Sequence, residues 1–215
     1  MILEKNSRIV MAGDSVTDCG RNRELPDCFW STWGDGYVHI VYSNLLAFAP
    51  EANIMVINKG VSGDTSRDLL ARWESDVMAA RPDYISVMIG INDVWRHFDS
   101  VVRQEKLVAI DEFRENLELI AEKSRGVKKL FFITPVFWAN TEDEPMFKMK
   151  RNFDAVIKSV SEKFRAVFID AQSVADKVLK SQSHYMFTMD HVHPNLPGHT
   201  IIAEAFLRAI KLERT

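Results

Sequence analysis

The chain has 215 residues, 47% of them apolar and 27% charged, and its 27 Lys plus Arg against 30 Asp plus Glu give a formal charge of −3. A chain of this length buries a sizeable core without disulfide or metal staples, and its mild acidity argues against nucleic acid or an anionic membrane as principal partner. Nine Gly and seven Pro exclude a fibrous or disordered polymer.

From the N-terminus, the apolar run at residues 9–12 is too short for a signal-peptide core, and no stretch approaches the roughly 18 apolar residues of a membrane span. The expected address is therefore the cytoplasm. Cys19 and Cys28 form no disulfide framework and have no metal-ligand spacing, so both are expected as reduced thiols.

Five short runs rich in β-branched and aromatic residues read as strands: 8–13, 53–58, 84–90, 128–134 and 166–170. Segments of helical spacing separate them at 37–48, 66–80, 106–123, 146–164 and 172–179, and 196–210 closes the chain. In the 106–123 segment Leu107, Ile110, Phe113, Leu117 and Ile120 step by three and four. Regular alternation of strand and helix predicts one three-layer α/β sandwich over residues 1–215, with right-handed crossovers. The stretches 21–35 and 134–145 fit neither pattern. They follow strand ends, the edge where open α/β sheets bind ligands, and so are expected as pocket walls.

The first strand ends in Gly13-Asp14-Ser15. A serine at a strand-to-helix junction is suited to nucleophilic attack, but serine is also a preferred helix N-cap, and alone the tripeptide favours the cap. Near the other end, Asp190-His191-Val192-His193-Pro194 places a carboxylate three residues before an imidazole. In a turn Asp190 can reach Nδ1 of His193 and leave Nε2 outward as a base. The same stretch also reads as a turn leading into the last helix, or as metal ligands Asp190, His191 and His193. Gly63 after the second strand and Asn92 after the third can each offer an N–H donor to a developing oxyanion, as can Ser15 N–H. Asp14 and Asp64 are expected to hydrogen-bond nearby backbone, and Asp93 to pair with Arg96. Trp30 and Trp33 are placed at the ligand edge, and Trp73 in the core. Trp95, Trp138 and Met189 are the candidates for contact with substrate.

Gly13-Asp14-Ser15, Gly63, Gly90-Ile91-Asn92-Asp93 and Asp190-x-x-His193-Pro194 together resemble the four signature blocks of the SGNH (GDSL) hydrolase superfamily, in its order and spacing. The longer runs at 13–21, 58–65, 68–73 and 88–96 are most similar to its intracellular xylan acetylesterase branch, with Val16 where leucine is usual. The resemblance implies a five-stranded parallel sheet of flavodoxin-like order 2-1-3-4-5. It also implies Ser15 as nucleophile, His193 as general base and acid, Asp190 as its orienter, and Ser15, Gly63 and Asn92 as the oxyanion hole. The function it implies is a serine esterase for short acyl, chiefly acetyl, esters of xylo-oligosaccharides or related sugars. A lipolytic thioesterase or lysophospholipase of the same fold is the alternative, and a metal-dependent hydrolase or silent binding module a more remote one. No cofactor motif occurs, so no cofactor and no metal are expected. The expected partner is a small acylated sugar, with no nucleic acid or membrane, and homo-oligomer formation is left open.

Overall fold

The structure, a computed structural model, describes residues 1–98 and 107–213. Five strands, β1 (Arg8–Gly13), β2 (Met55–Gly60), β3 (Tyr84–Met88), β4 (Lys129–Ile133) and β5 (Val167–Ile169), pair in parallel in the order β2-β1-β3-β4-β5. Register aligns their exits: Gly13 lies opposite both Gly60 and Met88, Met88 opposite Ile133, and Ile133 opposite Ile169. Whatever leaves the strands therefore leaves at one level. Because β1 is interior, its exit is flanked by those of β2 and β3.

Helices cover both faces, so alternate residues of each strand enter different cores. Ile9, Met11, Phe131 and Ile133 pack under α2 (Tyr37–Phe48), α7 (Ala171–Leu179) and α8 (Leu196–Ala209). Val10, Ala12, Ile85, Val87, Leu130 and Phe132 pack under α3 (Ser66–Ala71), α5 (Ile110–Lys123) and α6 (Pro145–Phe164). Between β1 and α2 lies a single turn, α1 (Ser15–Asp18), and after β3 comes the short α4 (Ile91–Trp95). Gly13 permits α1 to sit this close, since a Cβ there would meet Met88 O and Thr17 Oγ1 at 2.3 Å.

The predicted elements are present with shifted ends. Strand β2 starts and ends two residues later than expected, because residues 50–52 form a 3₁₀ turn that ends with Asn53 in the left-handed region. The expected helix at 66–80 is three pieces: α3, a π-helical turn at Trp73–Val77 and a 3₁₀ turn at Met78–Ala80. The wider turn keeps Trp73 and Val77 both fully buried. Helix α5 starts at Ile110 and not at 106, and Lys106 itself lies outside the described residues.

At the outer edge of the sheet, β2 is covered by the 21–35 stretch. Trp33 Nε1–H and the Cys28 thiol both donate to Val56 O, at 2.8 and 3.2 Å, and the Trp33 ring stacks on Tyr42 at 3.8 Å. Trp33 thus serves the sheet edge and not the ligand edge assigned to it, while Trp30 is 83% exposed. Both cysteines are free thiols, Cys19 with its Sγ 3.2 Å from His199 Nε2. No helix among the described residues is long and apolar enough to cross a membrane.

Trp73, in the π turn, is among the largest fully buried side chains and belongs to the core that contains Val10, Ala12 and Ile85. Trp73→Ala should lower unfolding free energy by about 3–5 kcal/mol, the usual cost of emptying such a site. Urea denaturation at constant pH measures it, and a loss below about 1 kcal/mol would contradict this packing.

Candidate active site

Ser15 opens α1 directly beyond the exit of β1, where Asp14 caps the turn by accepting Val16 N–H on Oδ1 at 3.0 Å. His193 arrives from the far end of the chain, 178 residues later, and its Nε2 is 2.8 Å from Ser15 Oγ. Its Nδ1 is 2.7 Å from Asp190 Oδ2. A carboxylate only accepts, so Nδ1 carries the proton and Nε2 is left as the acceptor for the serine hydroxyl.

The loop that carries both residues is tied at its base. Thr188 and Pro194 form an antiparallel bridge, and Asn195 N–H donates to Phe187 O at 2.7 Å. Within the loop, Asp190 Oδ1 accepts from His193 N–H (2.8 Å), Val192 N–H (3.0 Å) and Thr188 Oγ1 (3.0 Å). Partial burial pushes the Asp190 carboxyl up, but the bonds from His193, Val192 and Thr188 outweigh it and hold the group down at about 2. Thr188 was not singled out in the sequence; its signal is the Thr-x-Asp spacing of a side-chain-closed turn.

The loops leaving β2 and β3 flank Ser15. Gly63 has φ +88°, a conformation that favours glycine, and an added Cβ there would meet no atom within 4 Å. Asn92 is buried, and its Nδ2 donates one hydrogen to Asp64 O at 3.0 Å, which orients the amide and leaves its second hydrogen uncommitted by that bond. Asp18 binds this loop to α1 by accepting from Ser62 N–H (3.1 Å) and Oγ (2.7 Å), while Arg21 donates to Asn58 O and Gly60 O. A cavity of about 100 Å³ opens beside Gly63, lined by Thr65, Arg67, Asp68 and Arg96.

Several expectations need correction. Asp64 does not bond backbone through its carboxylate; it receives Arg72 Nε at 2.7 Å, and Arg72 also donates to Gly13 O. Asp93 is committed to Ser66, accepting its N–H at 3.0 Å and its Oγ at 2.5 Å. Trp138 has no exposed surface and stacks on Phe187 at 5.3 Å, so its ring offers no face to a ligand. Trp95 does reach the site, with its ring 5.7 Å from that of His193, and Met189 is 88% exposed beside Asp190. Asp190, His191 and His193 do not converge as metal ligands: His191 Nδ1 bonds Trp138 O at 2.7 Å, away from Ser15. Among the described residues no group of three His, Cys, Asp or Glu side chains is arranged to hold a metal.

The GDSL-like Lipase/Acylhydrolase family model matches residues 11–201. The chain belongs to that family. Within reach of the GDSL-like acylhydrolases, an acetylxylan esterase from Geobacillus stearothermophilus is 41% identical over 99% of this chain and 98% of its own. The crystal structure of a catalytic mutant of Axe2, an acetylxylan esterase from the same organism, superposes with a TM-score of 0.96 at 39% identity over all of both chains. LAE5, an alpha/beta hydrolase enzyme from the metagenome of Lake Arreo, Spain, matches at 34% identity and TM-score 0.97, again over all of both chains. The five-stranded order 2-1-3-4-5 is therefore that of the SGNH hydrolases.

Buried carboxyls surround this site. Burial, with a smaller contribution from Asp93 and Asp64, pushes Asp14 up to about 7 against the bond from Val16, and its Oδ2 has no partner. Burial likewise pushes Asp93 up to about 6 in spite of Ser66. A folded-state value above the ordinary 3.8 means that the fold holds a proton the unfolded chain has lost, so stability falls as pH rises from about 4 to about 7. Asp190 has the opposite sign: its contribution is present above about 4 and is lost as pH falls through about 2. Asp14→Asn should remove part of the decline between about pH 4 and 7, read by denaturant titration at both pH values. An unchanged decline would show that Asp14 ionises freely.

Proposed function

We propose that the protein is a serine esterase that removes acetyl groups from small acylated sugars, with xylo-oligosaccharides as the leading class. The observation that carries the reaction type is the chain of contacts Ser15 Oγ to His193 Nε2 at 2.8 Å and His193 Nδ1 to Asp190 at 2.7 Å. Three lines support the sugar ester: full-length similarity to an acetylxylan esterase, the small polar cavity beside Gly63, and the aromatic face of Trp95 next to His193.

In this reading Ser15 Oγ attacks the ester carbonyl while His193 Nε2 takes its proton. The carbonyl oxygen becomes an oxyanion facing Ser15 N–H, Gly63 N–H and the Asn92 amide. The tetrahedral intermediate collapses, the C–O bond to the sugar breaks, and His193 returns its proton to the departing hydroxyl. Water then attacks the acyl-enzyme, His193 again taking a proton, and releases acetate and free Ser15. Asp190 stays ionised throughout, holds the Nδ1–H tautomer and stabilises the imidazolium formed at each step. Trp95, whose ring lies beside that of His193, and the exposed Met189 are the residues we assign to contact with the sugar.

Ser15→Ala should lower kcat on p-nitrophenyl acetate by a factor on the order of 10⁶, and Asn92→Ala should raise the barrier by about 2.7–4 kcal/mol. Near-wild-type turnover in either variant removes the corresponding assignment. An acyl-chain series on the wild-type enzyme decides the substrate class. Acetyl esters should be fastest, and acetylated xylo-oligosaccharides should outpace acetylated glucose; a maximum at octanoyl or longer would instead place the enzyme among the lipolytic acyl hydrolases.

A further inference from the structure

His191 lies between the two residues that hold the proton relay, yet its ring faces the other way. Its backbone is left-handed, φ +67°, which turns the side chain to the far side of the loop from Ser15. There its ring and its peptide both bond Trp138: Nδ1–H donates to Trp138 O at 2.7 Å, and Trp138 N–H donates to His191 O at 2.9 Å. A carbonyl oxygen only accepts, which places the proton on Nδ1. The ring is also sandwiched, stacked on Phe137 at 5.4 Å and on His184 at 4.5 Å.

The outer half of that sandwich is held in turn. Asn140 Oδ1 accepts both the backbone N–H of His184 (2.8 Å) and its Nδ1–H (2.9 Å), while Asn140 Nδ2 donates to Leu179 O and Gln182 O. The end of α7, the 183–187 turn and the segment after β4 are thus joined, and the tip of the catalytic loop is inserted among them. The bonds that define Asp190 lie inside the loop and those at Thr188, Pro194 and Asn195 lie at its base. The pair of bonds between His191 and Trp138 ties the tip to the segment that follows β4.

We propose that His191 is a positioning residue, clamping the loop that carries Asp190 and His193 onto the 135–139 segment so that Nε2 keeps its register on Ser15. The inference rests on the Ser15–His193–Asp190 reading. Without the imidazole the tip keeps only the bond from Trp138 N–H to His191 O and the packing of buried Val192 with Phe137 and Ala139, so the loop gains freedom about its base, and a misplacement of about 1 Å in a reacting group costs about 100-fold in rate. Because His191 is only partly buried, its loss should be felt in catalysis well before stability.

Steady-state hydrolysis of p-nitrophenyl acetate by the wild type, Ser15→Ala, His191→Ala and His191→Asn tests this. His191→Ala should lose about 10- to 100-fold in kcat with KM changed less than about threefold. His191→Asn should return to within about threefold of wild type, since an amide can donate to the same carbonyl and asparagine tolerates a left-handed backbone. Wild-type kcat in His191→Ala overturns the proposal, as does a His191→Asn enzyme no faster than His191→Ala. If His191→Ala does not accumulate as folded protein, kcat of His191→Asn below about a tenth of wild type overturns it. Persistent activity in Ser15→Ala would fault the triad reading, whereas an inert Ser15→Ala beside a fully active His191→Ala faults only the clamp.

Discussion

The site depends on one constraint, the parallel pairing of β1 between β2 and β3 in a register that levels Gly13, Gly60 and Met88. Ser15, just beyond the interior strand, has a neighbour exit on either side, with Gly63 in the loop after one and Asn92 in the turn after the other. Slipping any pairing by one residue would move every strand side chain to the wrong face and the exits out of level. The two hydrophobic cores therefore secure the catalytic geometry as well as the fold. They do so at a distance, through the height at which the chain leaves the sheet.

The remaining requirement, a base from the other end of the chain, is met by a different device. The loop before α8 is shaped by local polar bonds: Asp190 accepts three donors from its own loop and still presents Oδ2 to His193. The same carboxylate thus organises the loop and sets the imidazole tautomer. Around it the buried carboxyls of Asp14 and Asp93 are unfavourable as anions, and their retention against burial is the kind of local stability cost that functional sites carry.

Much of this was legible in the chain. The strands were visible because a doubly covered sheet requires continuous apolar runs, and α2 has the bounds its spacing predicts. The meeting of Ser15, His193 and Asp190 was legible because strand ends bring together short motifs far apart in sequence. What escaped were the meetings decided by tertiary packing. The π turn after Ala71 still shows helical periodicity. Asp64 turned to Arg72 because that guanidinium also reaches Gly13 O, a strand end no local pattern specifies. Trp138 lies in a loop stretch by composition, yet the tip of the catalytic loop and Phe187 close over it. Thr188 carried only the weak signal of its Thr-x-Asp spacing, and His191 read as a candidate ligand, whereas its bond to Trp138 O comes from a contact no local pattern specifies.

The covering of β2 carries a consequence of its own. An outer strand normally presents a row of open peptide groups that another chain can extend. Here Val56 O is already taken by an indole and a thiol from the 21–35 stretch, and Asn58 Nδ2 binds that stretch again at Trp33 O. Side chains stand in for a sixth strand. The segment that closes the sheet against templated growth is also joined to α1, through the guanidiniums of Arg21 and Arg23 on the Asp18 carboxylate. Protection from aggregation and placement of the nucleophile thus share one strap, and damage to its anchors would surface as lost solubility and lost turnover together.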